Sequence, residues 1–397
     1  MMTSHQMNLL LQIKTIGGCG RSIFDLGVRH AGMDYHAAWE RMQALAARGL
    51  VNVKPELGRR GSEFSLTEKG TQMSDVKIIC VDAGFGNTKV AACGNVATLQ
   101  SAVSIPNRVG TALAGKFADA MRVSLDDRVY AVGHGAWNLG EPLNSMDYLA
   151  LVSPPRLALM YAGISKVLPP GDHGDVHLIM ALPVPLLQDN QQMALVKSQL
   201  REMKRSHVWK IGDEEWKMNI VHIQAQAQPF GAFYDWLYND ELLVREGGVK
   251  KSCMVIDIGM KTIDLCAIEN GAVSQRFLGG DSAGVYRLFN EREQIGYDMV
   301  ELDDQLRSGK LVPTRAERDM WLGVILDVLE RKVKSLRRFQ VTIPTGGGVA
   351  ILGEQLFNVL AAKGGALYMP QNVDDCITAN VRGLWKHAAH DAKVKGE

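Results

Sequence analysis

Asp82-Ala83-Gly84-Phe85-Gly86-Asn87-Thr88-Lys89 follows the apolar run Val76–Val81, and a similar order of residue types returns at Asp257-Ile258-Gly259-Met260-Lys261-Thr262 after Cys253–Ile256. Each apolar run reads as a buried strand and each Asp-x-Gly as a hairpin turn. A second strand follows in both places (Val90–Cys93 and Ile263–Ile268), then a short turn (Gly94–Asn95 and Asn270–Gly271), then a third strand. The copies stand about 175 positions apart, too far for a solenoid repeat. They predict two related halves facing each other across a cleft, in a mixed α/β fold.

A strand ending in Asp and turning through glycine suits phosphate chemistry. Glycine amides approach a polyphosphate without side-chain interference, and successive N–H groups form an anion-binding nest. An Asp at the strand tip can hold Mg²⁺ through water, because Mg²⁺ gives up its hydration shell reluctantly. Two further segments complete a set. Thr345-Gly346-Gly347-Gly348 follows a strand and precedes a helix expected at Leu352–Ala361; its glycines let the backbone lie flat against a planar ligand. Between the hairpins, Ile223–Ala227 runs into a helix begun by Pro229, which places Gln228 at the junction.

The rest of the composition sets bounds. The chain has 397 residues, a net charge of +1, 46% apolar and 22% charged residues, so two or three ordinary globular units are expected and no global field steers it to nucleic acid or membrane. The six cysteines stand apart with no CxxC pair, which fits a reducing compartment rather than a zinc knuckle or redox pair. No apolar stretch reaches transmembrane length and Leu9–Leu11 is too short for a signal-peptide core, so a cytoplasmic location is expected. His173 and His177 flank a loop-to-strand transition, Trp209 and Trp216 mark a small hairpin, and Arg315–Arg338 reads as a core helix with a basic end. Of that end only Lys334 is assigned to the ligand.

Residues 1–72 differ in texture. Helices are expected at Ser4–Thr15, from Ser22 through Val28, and from Asp34 to Arg48 with Gly49 as the stop; strands Leu50–Val53 and Glu63–Thr67 then enclose a basic loop. The order resembles the winged helix-turn-helix modules of bacterial regulators, down to the closing Leu66-Thr67-Glu68-Lys69-Gly70. That resemblance implies binding of double-stranded DNA, with Tyr35, His36 and Arg41 on a recognition helix and Lys54, Arg59 and Arg60 on the wing. A small helical docking domain is the plainer alternative. Residues 1–75 carry nine Lys/Arg and seven Asp/Glu, a small excess for a DNA reader.

Residues 75–397 carry the larger resemblance. The segments Asp82–Lys89, Gln228–Asp235, Asp257–Asp264, Thr345–Gly348 and Ala379–Trp385, in that order, resemble the actin/Hsp70/sugar-kinase superfamily, and within it the ParM/StbA-type plasmid actins and their archaeal relatives. This implies a two-lobed actin-like (duplicated ribonuclease-H-like) ATPase fold. Its first half would be about 75–250 with the C-terminal segment, and its second about 251–345. ATP and Mg²⁺ are the implied cofactors, with Asp82 and Asp257 holding the metal. Asp82, Gly84, Gly86, Asn87, Thr88, Lys89, Gly259, Lys261, Thr262 and Asp264 would line the phosphates, and Gly346, Gly347 and Gly348 would meet adenosine. Gln228 and Asp257 are the implied catalytic residues, Gln228 orienting the attacking water. Many relatives have proline before this glutamine, where the chain has Ala227. The implied partners are further copies of the chain in a filament, DNA through residues 1–72, and a centromere-binding adaptor. A sugar-responsive repressor of the ROK type is the rival reading, and a Hsp70-like chaperone a lesser one. The first has a cysteine-rich zinc site and usually an Asp-x-Gly-Gly-Thr hairpin, neither of which occurs here.

Overall fold

Apolar side chains alternate across each strand of a half-buried sheet, and that alternation sorts the secondary elements into layers. The structure, a computed structural model, describes residues 35–54, 63–66, 76–107, 120–143, 150–289, 299–370, 372 and 375–394. Two compact units result, one up to Lys77 and again from His387, the other spanning Ile78–Lys386.

In the smaller unit, α1 (Tyr35–Ala46) precedes β1 (Val51–Lys54) and β2 (Glu63–Leu66), which pair antiparallel with Val51 opposite Leu66. Met42 and Leu45 are fully buried, and Gly49 takes φ +67° just past the helix end. The third expected helix and the hairpin are therefore present within one or two residues. The two preceding expected helices, and Arg59 and Arg60, lie outside the described residues.

The larger unit contains two sheets. The first begins as a meander, β3 (Lys77–Ala83), β4 (Asn87–Ala92) and β5 (Asn95–Gln100), and continues through β6 (Val103–Ser104), β7 (Met121–Leu125) and β8 (Arg128–Val132). After α2 (Pro154–Val167) come β9 (Gly171–Leu182), α3 (Val184–Gln188), α4 (Asn190–Glu202), β10 (Ser206–Ile211) and β11 (Glu214–Ala227). Its strand order is β5-β4-β3-β9-β11-β10-β7-β8-β6. Trp209 stands opposite Trp216 in the β10–β11 hairpin, as expected. His177 lies inside β9, its ring against that of His222 on β11.

Helix α5 (Gln228–Leu237) leads to the second sheet, where β12 (Cys253–Ile258), β13 (Ile263–Glu269) and β14 (Ala272–Val273) repeat the meander and β15 (Gly279–Asp281) pairs with β13. Then come α6 (Met299–Arg307), α7 (Arg315–Lys332), β16 (Val341–Thr345), α8 (Gly347–Leu352), α9 (Glu354–Lys363), β17 (Ala366–Leu367) and α10 (Asp375–Val394). The order β14-β13-β12-β16-β17 matches the β5-β4-β3-β9-β11 half of the first sheet, so the duplication extends beyond the hairpins. Met254, Ile256, Leu265 and Ala267 pack towards α7 and α9, while Cys253, Val255, Cys266 and Ile268 pack towards α5 and Ala379 of α10.

Two expected boundaries move. Helix α7 starts on a capping box between Thr314 and Glu317 but stops at Lys332, because Lys334 adopts φ +66° and turns the chain. The helix expected at Leu352–Ala361 is two helices broken at Gly353 (φ +52°), and the first starts within the triple glycine. Helices α5 and α10 cross closely at Gly231 and Gly383, where a Cβ on either glycine would lie 1.9 Å from a backbone oxygen of the other helix. No described helix is long and apolar enough to cross a membrane.

Candidate functional site

The two Asp-x-Gly turns close alike. Gly84 N–H donates to Asn87 O at 3.0 Å and Gly259 N–H donates to Thr262 O at 2.8 Å. In register, Asp82 faces Lys89 across β3–β4 and Asp257 faces Asp264 across β12–β13. The backbones therefore repeat, while the cross-strand partner changes from a cation to an acid.

Asp82 is fully buried, and a buried carboxylate requires partners. Lys89 Nζ lies 2.9 Å from its Oδ2, and Gln228 Nε2 donates to its Oδ1 at 2.8 Å. The glutamine reaches it from the first residue of α5. Asp257 receives the corresponding bond from the other crossing helix, Asn380 Nδ2 donating to its Oδ2 at 2.6 Å. Burial pushes the Asp257 carboxyl up to about 6, against the pull of Lys89 and Asn380, and the neighbouring Asp82 pushes the same way. Burial raises Asp264 to about 7, assisted by Asp257 and opposed by the Thr262 hydroxyl, which donates to its Oδ2 at 2.9 Å. The buried Asp264 Oδ1 has no hydrogen-bond partner.

Apart from Asn380, these groups line one cavity of about 380 Å³. Its walls include Asp82, Gly84, Gly86, Asn87 and Lys89 from the first hairpin and Asp257, Gly259, Lys261, Thr262 and Asp264 from the second. Gln228, Gly346 and Gly347, also expected from sequence, join them. Gly346 holds φ +91°, and a Cβ there would lie 2.4 Å from Ile258 O and 2.5 Å from Asp257 Oδ1, so only glycine fits. The hairpin tips meet, with Lys261 Nζ 4.3 Å from the centre of the Phe85 ring.

Three residues expected at the ligand are not brought to this cavity. Thr88 alternates to the opposite face of β4, where its buried hydroxyl is 2.9 Å from that of Ser101. Gly348 serves packing, since a Cβ there would meet Ile258 Cγ2 at 2.2 Å. Lys334 lies beyond the end of α7 in a separate cavity of about 240 Å³, beside Arg337 and Lys363. Tyr35, His36 and Arg41 fall on α1 and Lys54 on β1. Conversely, Asn380, Asp303 and Arg307 carried no assignment from the sequence. Asn380 stands inside a motif already singled out, but the α6 residues follow no glycine turn or strand end that would mark them.

The donor set fits Mg²⁺ in its hydrated form. Asp82, Asp257 and Asp264 offer oxygen donors to one cavity, as a hard cation requires. Among the described residues no group of three or more His, Cys, Asp or Glu is arranged to grip a metal directly. Lys89, Gln228 and Asn380 already occupy carboxylate oxygens, which leaves water as the natural intermediary.

Residues 80–231 match the family of actin-like protein N-terminal domains. No curated protein matches the chain by sequence. Among solved structures, an archaeal actin homologue in complex with ADP aligns with a TM-score of 0.59 at 17% identity, over 79% of this chain and 99% of that one. A 15-stranded ParM filament from Clostridium botulinum gives 0.59 at 18% identity, over 79% and 99%. Bacillus thuringiensis ParM with AMPPNP gives 0.54 at 12%, over 79% and 98%. The two glycine hairpins thus belong to an actin-like fold, shared with ParM proteins and an archaeal actin homologue.

Proposed function

We propose that this chain is a cytoplasmic actin-like ATPase that binds Mg-ATP between its two hairpins, hydrolyses it slowly, and assembles into filaments that segregate plasmid or mobile-element DNA. The observation that carries the nucleotide reading is the pair of matching hairpins whose buried acids face one cavity. Its apolar lining residues, among them Leu311, Val312, Ala350, Ile351 and Ile377, suit a base, and its polar lining suits phosphates. The filament half of the proposal draws on the fold alone.

Asp82 and Asp257 would hold the hydrated Mg²⁺. Bound there, Mg²⁺ would neutralise charge on the transferring phosphoryl group. Lys89 and the hairpin amides bind the phosphate oxygens, and Lys89 also balances the buried Asp82. Gln228 keeps its Nε2 on Asp82 and offers Oε1 to orient a water. Asn380 holds Asp257 in its rotamer. The Gly231–Gly383 crossing ties the two amide-bearing helices together, so the acids keep their spacing as the halves move.

Residues 1–72 would attach the filament to double-stranded DNA, alone or with a centromere-binding adaptor. Three or four phosphate contacts per copy give weak binding, which many copies in a filament would strengthen. The whole reading is tested by pelleting and electron microscopy with ATP, with ADP and without nucleotide, alongside phosphate release. A chain that hydrolyses no ATP and stays monomeric by light scattering at high concentration overturns it.

A further inference from the structure

Helix α6 carries Val300, Asp303, Asp304 and Arg307 at spacings of three and four, which puts them on one face. That whole face meets the half of the unit built on the first sheet. Val300 packs with Ala102, Ala131, Ala136 and Leu139. Gln100 Nε2, at the end of β5, donates to Asp303 Oδ2 at 3.0 Å and to Val300 O at 3.4 Å. His134 Nδ1 comes within 2.6 Å of Asp304 Oδ1, an ion-pair contact when the imidazole is protonated, although that oxygen accepts no aligned hydrogen bond. Arg307 donates to Asn87 Oδ1 at 2.8 Å and to Gly86 O at 3.2 Å, while two bonds to Asp303 hold its guanidinium from behind.

Asp303 and Asp304 are nearly fully buried, at 5% and 6% exposure. Opening this contact would strip two buried carboxylates of cross-cleft partners at once, so the face releases as a unit. Asp303, Leu306 and Arg307 also line the cavity, which makes the fastening part of the cavity wall. We propose that this face of α6 is a strap that holds the nucleotide cavity shut and sets how long nucleotide stays bound. The proposal rests on the nucleotide reading above. A polyphosphate arriving beside Asn87 offers the Arg307 guanidinium a stronger acceptor than an amide or carbonyl oxygen, so occupancy and closure are coupled through that side chain.

The test has two arms, both on the full chain. In the first, Ala102→Cys with Val300→Cys, a pair that leaves every polar contact of the strap in place, is treated with a short thiol-to-thiol cross-linker, without nucleotide, in a background where Cys19 and Cys93 are serine. Fast cross-linking that slows in the added presence of Arg307→Ala supports the strap. A rate no better than that of a distant cysteine pair overturns it, whether or not nucleotide binds. In the second, release of a fluorescent ATP analogue is timed by stopped flow. Arg307→Ala should speed release about ten-fold, the scale of a lost charge-assisted bond, and Arg307→Lys and His134→Ala each less. Arg315→Ala, on an exposed side chain of α7, should leave it unchanged. Equal release from all variants overturns the strap, whereas an intact protein that binds no analogue overturns the nucleotide reading and leaves the first arm to decide the strap.

Discussion

Gln228 Nε2 donates to Asp82 Oδ1 at 2.8 Å, joining the first residue of α5 to a strand tip 146 positions earlier. The glutamine assigned to water orientation is thus anchored by the same acid assigned to the metal. Gln228→Ala is expected to lower ATP turnover about 100-fold while nucleotide affinity changes only a few-fold, because the lost contact would act on water in the transition state. Steady-state phosphate release together with equilibrium binding checks this. Equal losses in affinity and turnover would place the residue in ground-state binding instead.

Asp257→Ala removes one of the two strand-tip acids and leaves Asn380 Nδ2 without its acceptor. Mg²⁺-dependent hydrolysis should fall below detection, a loss of several kcal/mol of transition-state stabilisation, about the usual size for a metal-site anchor. Titrating Mg²⁺ against bound nucleotide should show a weakened metal dependence. Normal turnover in this variant would move the site elsewhere.

Burial raises the carboxyls of Asp257 and Asp264 to about 6 and about 7 from an ordinary 3.8. Between the ordinary and the raised values the folded chain holds protons that the unfolded chain has released. These two groups therefore favour folding most at acid pH, and their contribution declines as pH rises towards 7. Asp264→Asn, which mimics the protonated acid, should raise the metal-free thermal midpoint at about pH 7.5 and leave it little changed near pH 4. Melting curves in EDTA across that range read the difference directly. A variant less stable than the parent at neutral pH would refute the assignment.

Gly231→Ala places a methyl group 1.9 Å from Asn380 O on the crossing helix. Relief requires the helices to part, so a loss of about 3 kcal/mol or more is expected in denaturant unfolding. Because the same helices carry Gln228 and Asn380, any surviving folded protein should also bind nucleotide poorly. Full stability and full binding would show that the crossing tolerates expansion.

The N-terminal module supplies the last prediction. The intact chain should bind DNA from upstream of its own gene more tightly with ATP than without, and a 73–397 truncation should not. Electrophoretic shifts at low salt, where phosphate contacts are strongest, compare the two. Equal binding by both chains would make residues 1–72 a docking or structural domain.

The hairpins were legible because their signal is local: an apolar strand, an acid at its tip and a glycine turn occupy about ten consecutive residues. The repeat at Asp257–Thr262 then implied two halves, and the matching strand orders of the two sheets agree with that. Sequence expectation and structure part where position depends on a neighbour in space. Thr88 sits between Asn87 and Lys89, and strand alternation turns it into the core while both flanking residues face the cavity. Lys334 reads as a helix-end cation, and only its left-handed backbone takes it beyond α7 into another cavity.

The sequence by itself determined the two Asp-x-Gly turns, the Gln228 junction and the triple glycine, because turn geometry and helix starts depend on a few adjacent residues. Tertiary structure decided which side chains satisfy the buried acids. Asp82 finds Lys89 within its own hairpin, but Asp257 finds Asn380 from 123 positions away, and Arg307 reaches Asn87 across 220. Such pairings form only when folding brings residues distant in sequence together, and no local pattern in the residues records them.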